Sequence, residues 1–306
     1  NSKNAKIAAD LGEVNAEVIK NAEEIGSFEC ISEKEIFEIE HWSLEQAKLG
    51  KSVEKPLQRH VVAITGGCGS IGEATAKAFA QNGAEVVVLD IELENAERLA
   101  KEIGCAAIHC DVTDHESVSR ALSTICKTFG GIDILVSNAG AAWDGEIGSV
   151  DSKILRQSFE LNFWSHQTVA QETVKIMSKQ KTGGCLLFNI SKQAINPGRN
   201  FGPYGLPKAA TLFLMKQYAL DHSKDQIRSN AVNADRIRSG LLTEEFISSR
   251  ATARGLKEDE YMSGNLLGRE VKAVDVADAF VYLAKAEKTT AAVITVDGGN
   301  IEASLR

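Results

Sequence analysis

The chain has 306 residues, 43% hydrophobic and 25% charged, enough apolar side chain for one large domain or a domain with an appendage. A formal net charge of -8 argues against a surface built for nucleic acid or anionic lipid. No apolar run approaches the roughly 20 residues that span a bilayer. The six cysteines, Cys30, Cys68, Cys105, Cys110, Cys126 and Cys185, show no CxxC and no pairing pattern, so free thiols in a reducing cytoplasm are expected. The scattered histidines form no HxH or HExxH, and no metal site is expected. The chain opens on Asn1 without a methionine, which suggests a piece of something longer.

Residues 1–58 read as a helical N-terminal extension or connector. NAEVIKNAEEIG predicts one short helix. SEKEIFEIEHWSLEQAKLG predicts a second, opened by a capping box between Ser32 and Glu35. Phe37, Ile39, Trp42 and Leu44 would give it an apolar side for docking. From residue 59 to 306 short β-rich runs alternate with helical ones. The strand candidates are HVVAIT, AEVVVLD, CAAIHCDV, DILVSNAG, CLLFNIS, SNAVNA and AAVITVDGG. That alternation predicts an α/β Rossmann domain: a doubly wound parallel sheet with helices on both faces.

The first strand runs into TGGCGSIG, Thr65 to Gly72, and then into a helix. Gly66, Ser70, Ile71 and Gly72 would bring the backbone and the helix N-terminus up to a pyrophosphate. Asp90 closes the next strand, 18 residues after Gly72. An acid there accepts hydrogen bonds from a ribose and repels a 2′-phosphate, which predicts NAD as the cofactor. No Arg or Lys follows it in DIELEN.

Farther on, Tyr204 and Lys208 are four residues apart, on one face of a helix that opens near Pro207. An ammonium beside a phenol would lower its pKa and fit it for proton exchange with an alcohol. Ser191, thirteen residues before Tyr204 at a strand end, would bond the same substrate oxygen. A last strand runs into NADRIRSGLL, where charges crowd an apolar run. Arg236 and Arg238 there, with Lys192 and Arg199, would hold an anionic substrate, or the arginines brace the loop through Asp235.

TGGCGSIG, Asp90, CDV, SNAG, LNFW, Ser191 and Tyr204-x-x-x-Lys208, in this order and spacing, resemble the short-chain dehydrogenase/reductases over residues 59–306. The loop itself also fits the TGxxGxxG of the longer, epimerase-like branch. SNAG and the Ser–Tyr spacing favour the shorter type. The resemblance implies that Asp111 and Val112 flank the adenine and that Asn138, Ala139 and Gly140 support the cofactor cleft. It implies Asn162, Ser191, Tyr204 and Lys208 as a catalytic tetrad, with Tyr204 as acid/base and Lys208 on the nicotinamide ribose. It also implies a homo-tetramer or dimer. Ala234-Asp235 stands where that family usually has Pro-Gly.

NADRIRSGLL, SKQAINPGRNFGPYGLPKAA, EYMSGNLLGREV and VDGGN are similar to the dehydrogenase half of bifunctional rhamnulose-1-phosphate aldolase/alcohol dehydrogenases, and EIFEIEHWSLEQAKL resembles the connector that joins their halves. This implies an aldolase half that is missing from this chain, and a small hydroxyaldehyde or alcohol such as lactaldehyde as substrate. The alternatives are an anionic hydroxy acid, sulfonate or sugar phosphate bound by Arg236 or Arg238, and a non-catalytic NAD-binding module.

Overall fold

In the computed structural model, residues 2–42, 55–240 and 242–300 are described. Two helices lead, α1 (Ser2–Ile25) and α2 (Glu33–Glu40). The first begins well before the stretch expected from sequence. It runs through Gly12, because a single helical glycine costs only about 0.5–1 kcal/mol. At α2 the expected capping box forms: the Glu35 N–H donates to Ser32 Oγ, and the Ser32 N–H to Glu35 Oε2 at 2.8 Å. Phe37, Ile39 and Trp42 are exposed. Leu44 and the rest of the expected second helix lie outside the described residues.

From Val61 the chain alternates. It runs β1 (Val61–Thr65), α3 (Ser70–Gln81), β2 (Glu85–Asp90), α4 (Leu93–Ile103), β3 (Ala106–His109), α5 (His115–Phe129) and β4 (Ile134–Ser137). Then come α6 (Ser152–Phe159), a π-helical turn (Glu160–Trp164), α7 (Ser165–Gln180), β5 (Gly184–Ser191) and α8 (Gly202–Asp221). It closes with β6 (Ile227–Ala234), α9 (Glu244–Thr252), α10 (Glu258–Met262), α11 (Ala273–Lys285) and β7 (Val293–Val296). Each of the seven strand candidates forms a strand, all in one parallel sheet of order β3-β2-β1-β4-β5-β6-β7.

The period of two along each strand builds a core on each face. Val62 and Ile64 pack with Phe79 of α3, Leu99 of α4 and Phe280 of α11. Val61 and Ala63 pack with Leu122 of α5, Met177 of α7 and Met215 of α8. Sheet order reverses between β1 and β4, so their carboxyl ends open a crevice there, where such sheets bind ligands. No helix among the described residues is long and apolar enough to cross a membrane.

Leu57 precedes β1 yet belongs to the first core: it is 2% exposed, and its N–H donates to the Asn82 carbonyl at 3.0 Å. Leu57→Ala is therefore expected to lower stability by about 2–5 kcal/mol in urea titration. Ile25→Ala, at a side chain 92% exposed, is expected to change it by about 0.5 kcal/mol or less.

Candidate active site

The turn after β1 is shaped by its glycines. Gly66 has φ +60°, and a Cβ there would lie 2.8 Å from the Ala139 Cα. A Cβ on Gly72 would lie 2.7 Å from the Gly67 Cα. No side chain caps the N-terminus of α3. Asn138 fastens this turn to β4: its Nδ2 donates to the carbonyls of Thr65 and Gly66 at 3.1 and 3.0 Å, and its N–H donates to Thr65 Oγ1. Asp90 closes the turn from β2, accepting from the N–H groups of Cys68 and Glu92 at 2.9 and 3.1 Å.

Gly66, Ser70, Ile71, Asn138 and Gly140 line a cleft that reaches Tyr204 and Lys208. Asp90 ends β2 beyond that lining. Asp111 and Val112 follow β3; the Asp111 carboxylate accepts from the Thr113 N–H and hydroxyl, and Val112 is buried. An uncapped helix N-terminus, a backbone that tolerates no Cβ, and an acid on the second strand fit a dinucleotide.

The four tetrad residues come from three elements. Asn162 sits in the π-helical turn, fully buried. Its Nδ2 donates to the Ala141 carbonyl and Ser158 Oγ at 2.8 and 3.1 Å, leaving Oδ1 without a partner. Its main-chain carbonyl accepts from Thr211 Oγ1 at 2.7 Å. Such π turns recur at functional sites because they re-aim a side chain. Ser191 ends β5, and its hydroxyl lies near enough to the Tyr204 phenol to favour the phenolate. Tyr204 and Lys208 lie on α8, which starts at Gly202, so Pro207 falls in the second turn rather than the first.

Burial, not the lysine, governs the phenol. Desolvation pushes Tyr204 up to about 12, Ser191 opposing it. The same burial pulls Lys208 down to about 7. Lys208 Nζ stands 5.9 Å from the centroid of the Tyr204 ring and donates to the Asn189 carbonyl at 2.9 Å. The lowered tyrosine pKa expected from sequence is thus not found in the protein alone, because a buried ammonium is itself disfavoured.

His166 was not singled out in the sequence. It is fully buried, with Nδ1 2.6 Å from Ser137 Oγ and Nε2 3.4 Å from Lys208 Nζ. Burial holds its pKa well below the usual imidazole value, with Lys208 acting in the same direction. Its position four residues after Asn162 was the available signal.

A second cavity, of about 220 Å³, adjoins the first and shares Tyr204 with it. Ser191, Lys192, Arg199 and Arg236 line it; Arg238 does not. Arg238 is spent on Glu270, at 2.7 Å, and on Glu244, so its expected place on the substrate is corrected to a brace. Arg236 has φ +50°; its Nη1 donates to the Tyr261 carbonyl at 2.6 Å. Lys192 Nζ lies 2.7 Å from Asp235, and Arg199 is exposed.

The chain matches the family model described as enoyl-(acyl carrier protein) reductase over residues 66–300 and that for the second domain of class II aldolases over residues 1–49. It is 33% identical to the uncharacterized oxidoreductase YuxG of Bacillus subtilis over 96% of this chain and 45% of that protein. It thus spans less than half of that relative's length. A short-chain type dehydrogenase/reductase from Mycobacterium marinum superposes with a TM-score of 0.72 at 28% identity, covering 79% of this chain and 95% of that one. The 3-ketoacyl-(acyl-carrier-protein) reductase of Brucella melitensis, complexed with NADH, gives 0.72 at 26%, covering 79% and 98%.

His166 makes acid stability measurable. Its folded pKa lies below the unfolded value of 6.5, so above that pH neither state binds the proton. As pH falls through 6.5 the unfolded chain takes up a proton that the folded one refuses, and stability drops. Between about pH 7.5 and about pH 5.5 the wild type should lose about 1.4 kcal/mol more than His166→Asn, read from urea midpoints.

Proposed function

The chain belongs to the short-chain dehydrogenase/reductase family, and on that footing we propose that it is an NAD-dependent oxidoreductase of a small hydroxyaldehyde or alcohol, with Tyr204 as acid/base. The observation that carries this reading is Ser191 and the buried Tyr204 lining one cavity together, where it meets the glycine-turn cleft. Bound NAD would supply the hydride chemistry. Gly66 and the N-terminus of α3 would hold its pyrophosphate, Asp90 its adenosine ribose, and Lys208 its second ribose.

Ser191 orients the substrate oxygen toward Tyr204. In reduction Tyr204, protonated at neutral pH, gives its proton to the oxygen as negative charge develops there. In oxidation it takes the alcohol proton as a phenolate, which positive charge at Lys208 favours. The unpartnered Asn162 Oδ1 offers an acceptor beside Gly140, on the side facing Lys208. An acid at the end of β2, with no Arg or Lys directly after it in DIELEN, supports NAD over NADP. The joint presence of Asn162, Ser191, Tyr204 and Lys208 speaks against a non-catalytic module.

The match of residues 1–49 to a class II aldolase domain supports descent from a fused aldolase, whose short hydroxyaldehyde product would feed this site. On that reading residues 1–58 are the join and 59–306 the NAD-binding domain. Exposed Phe213 and Leu220 on α8 support self-association into a dimer or tetramer. The charged lining formed by Lys192, Arg199 and Arg236 supports the second substrate reading, an anionic hydroxy compound.

Tyr204→Phe is expected to lower kcat about 10²- to 10⁴-fold while NAD still binds, as measured by nicotinamide absorbance and calorimetry. Intact turnover would defeat the mechanism. The wild type should prefer NAD to NADP by about 100-fold or more in kcat/KM, since a carboxylate facing a phosphate costs several kcal/mol. Asp90→Ala should erase most of that preference.

A further inference from the structure

The lining of the second cavity, which includes Ser191 and Tyr204, also carries charges that the motif pattern did not flag. Arg250 lies in the last turn of α9, and Arg254 follows four residues later. With Lys192, Arg199 and Arg236 they line this cavity against a single carboxylate, Asp235. That carboxylate is already engaged: Lys192 Nζ lies 2.7 Å away and Asn300 Nδ2 2.8 Å away. Among the described residues, neither Arg250 nor Arg254 pairs with an acid.

Both guanidiniums are instead laid on aromatic rings. Arg250 stands 4.6 Å from the centroid of Phe201 and 5.2 Å from that of Phe246, rings that meet edge to face at 80°. Tyr261 takes Arg254 at 5.0 Å and Arg236 at 4.6 Å. A ring face attracts a guanidinium through its quadrupole and holds it near the cavity. A ring offers no carboxylate, so the N–H groups that grip an oxyanion through two hydrogen bonds stay available. Two cations without an acid partner along a small cavity, Arg250 half-buried and Arg254 exposed, also raise the local concentration of anions. The glycine-turn cleft does not include these residues, so the dinucleotide phosphates do not account for them.

We infer that the second cavity selects the second of the two substrate readings: the substrate is a small organic oxyanion, a hydroxy or carbonyl compound with a carboxylate or phosphate on a short tether, clamped by Arg250 and Arg254. This rests on the oxidoreductase reading for the reacting carbon and on the cavity wall alone for the anion.

The test is initial-rate kinetics on matched pairs, lactate against 1,2-propanediol and glycerol 3-phosphate against glycerol, with glyceraldehyde and its 3-phosphate for the reverse direction. The expected result is an anionic-to-neutral ratio of kcat/KM of about 100 or more, with the carboxylate and phosphate arms naming the group. Arg250→Gln and Arg254→Gln should each cut that ratio about 10- to 100-fold through KM, the scale of one charged hydrogen bond. Arg250→Lys should restore part of it. A ratio near one, or a ratio that both variants leave intact, overturns the inference.

If the variants do not fold, inorganic phosphate is expected to inhibit the wild type competitively against the better substrate; absence of inhibition at tens of millimolar overturns the clamp. If no compound turns over, calorimetry with glycerol 3-phosphate in the presence of NAD separates the two claims. Binding that Arg254→Gln abolishes keeps the clamp and removes the oxidoreductase reading. No binding removes the clamp whatever the turnover.

Discussion

One partly buried chain of hydrogen bonds ties Lys208 to the glycine turn. Lys208 donates to the Asn189 carbonyl, the Asn189 amide to Asn138 Oδ1 at 2.8 Å, and Asn138 in turn to the carbonyls of Thr65 and Gly66. Each link satisfies a polar group that would otherwise be costly to bury. The chain crosses the carboxyl ends of β1, β4 and β5, where the sheet order reverses. The crevice is therefore set by satisfied hydrogen bonds as well as by packing. Asn189 lies at the middle of it, yet in sequence it is one residue of CLLFNIS and nothing marks it.

The sheet was legible because its strands are short, apolar on both faces and bounded by glycine or polar turns. Tyr204, Lys208, Ser191 and Asn162 were legible as a spaced set carried by a family resemblance. Burial was not legible. It reverses the simple argument that a lysine lowers its tyrosine, since Lys208 and Tyr204 are desolvated together and each charged form is disfavoured. The N-terminal boundary was blurred for a similar reason: Leu57 looks like any residue of a charged connector until Asn82 and the first core close on it.

Charge pairing across loops was the other illegible term. NADRIRSG presents two arginines two residues apart, and spacing alone makes them equivalent. The fold separates them. Arg238 reaches Glu244 at the start of α9 and Glu270 before α11, whereas Arg236 turns back through a left-handed backbone to the Tyr261 and Gly264 carbonyls. Both therefore hold the α9–α10 segment against the domain. The acids and carbonyls that decide this lie 6 to 32 residues away.

Asp235 gives this arrangement its anchor. Where the family usually carries Pro-Gly, this chain buries a carboxylate, 8% exposed, between Lys192 and Asn300, with Arg236 Nε at 3.7 Å. A buried charge with several partners fixes geometry more firmly than it adds stability. It joins the turn after β5, the end of β6 and the segment after β7 at the mouth of the second cavity. Its charge is taken up by Lys192, Asn300 and Arg236, so it does not pair with Arg250 or Arg254. The departure from the family pattern and the positive character of the cavity thus have one origin: an acid that serves the scaffold and leaves the cations to the cavity.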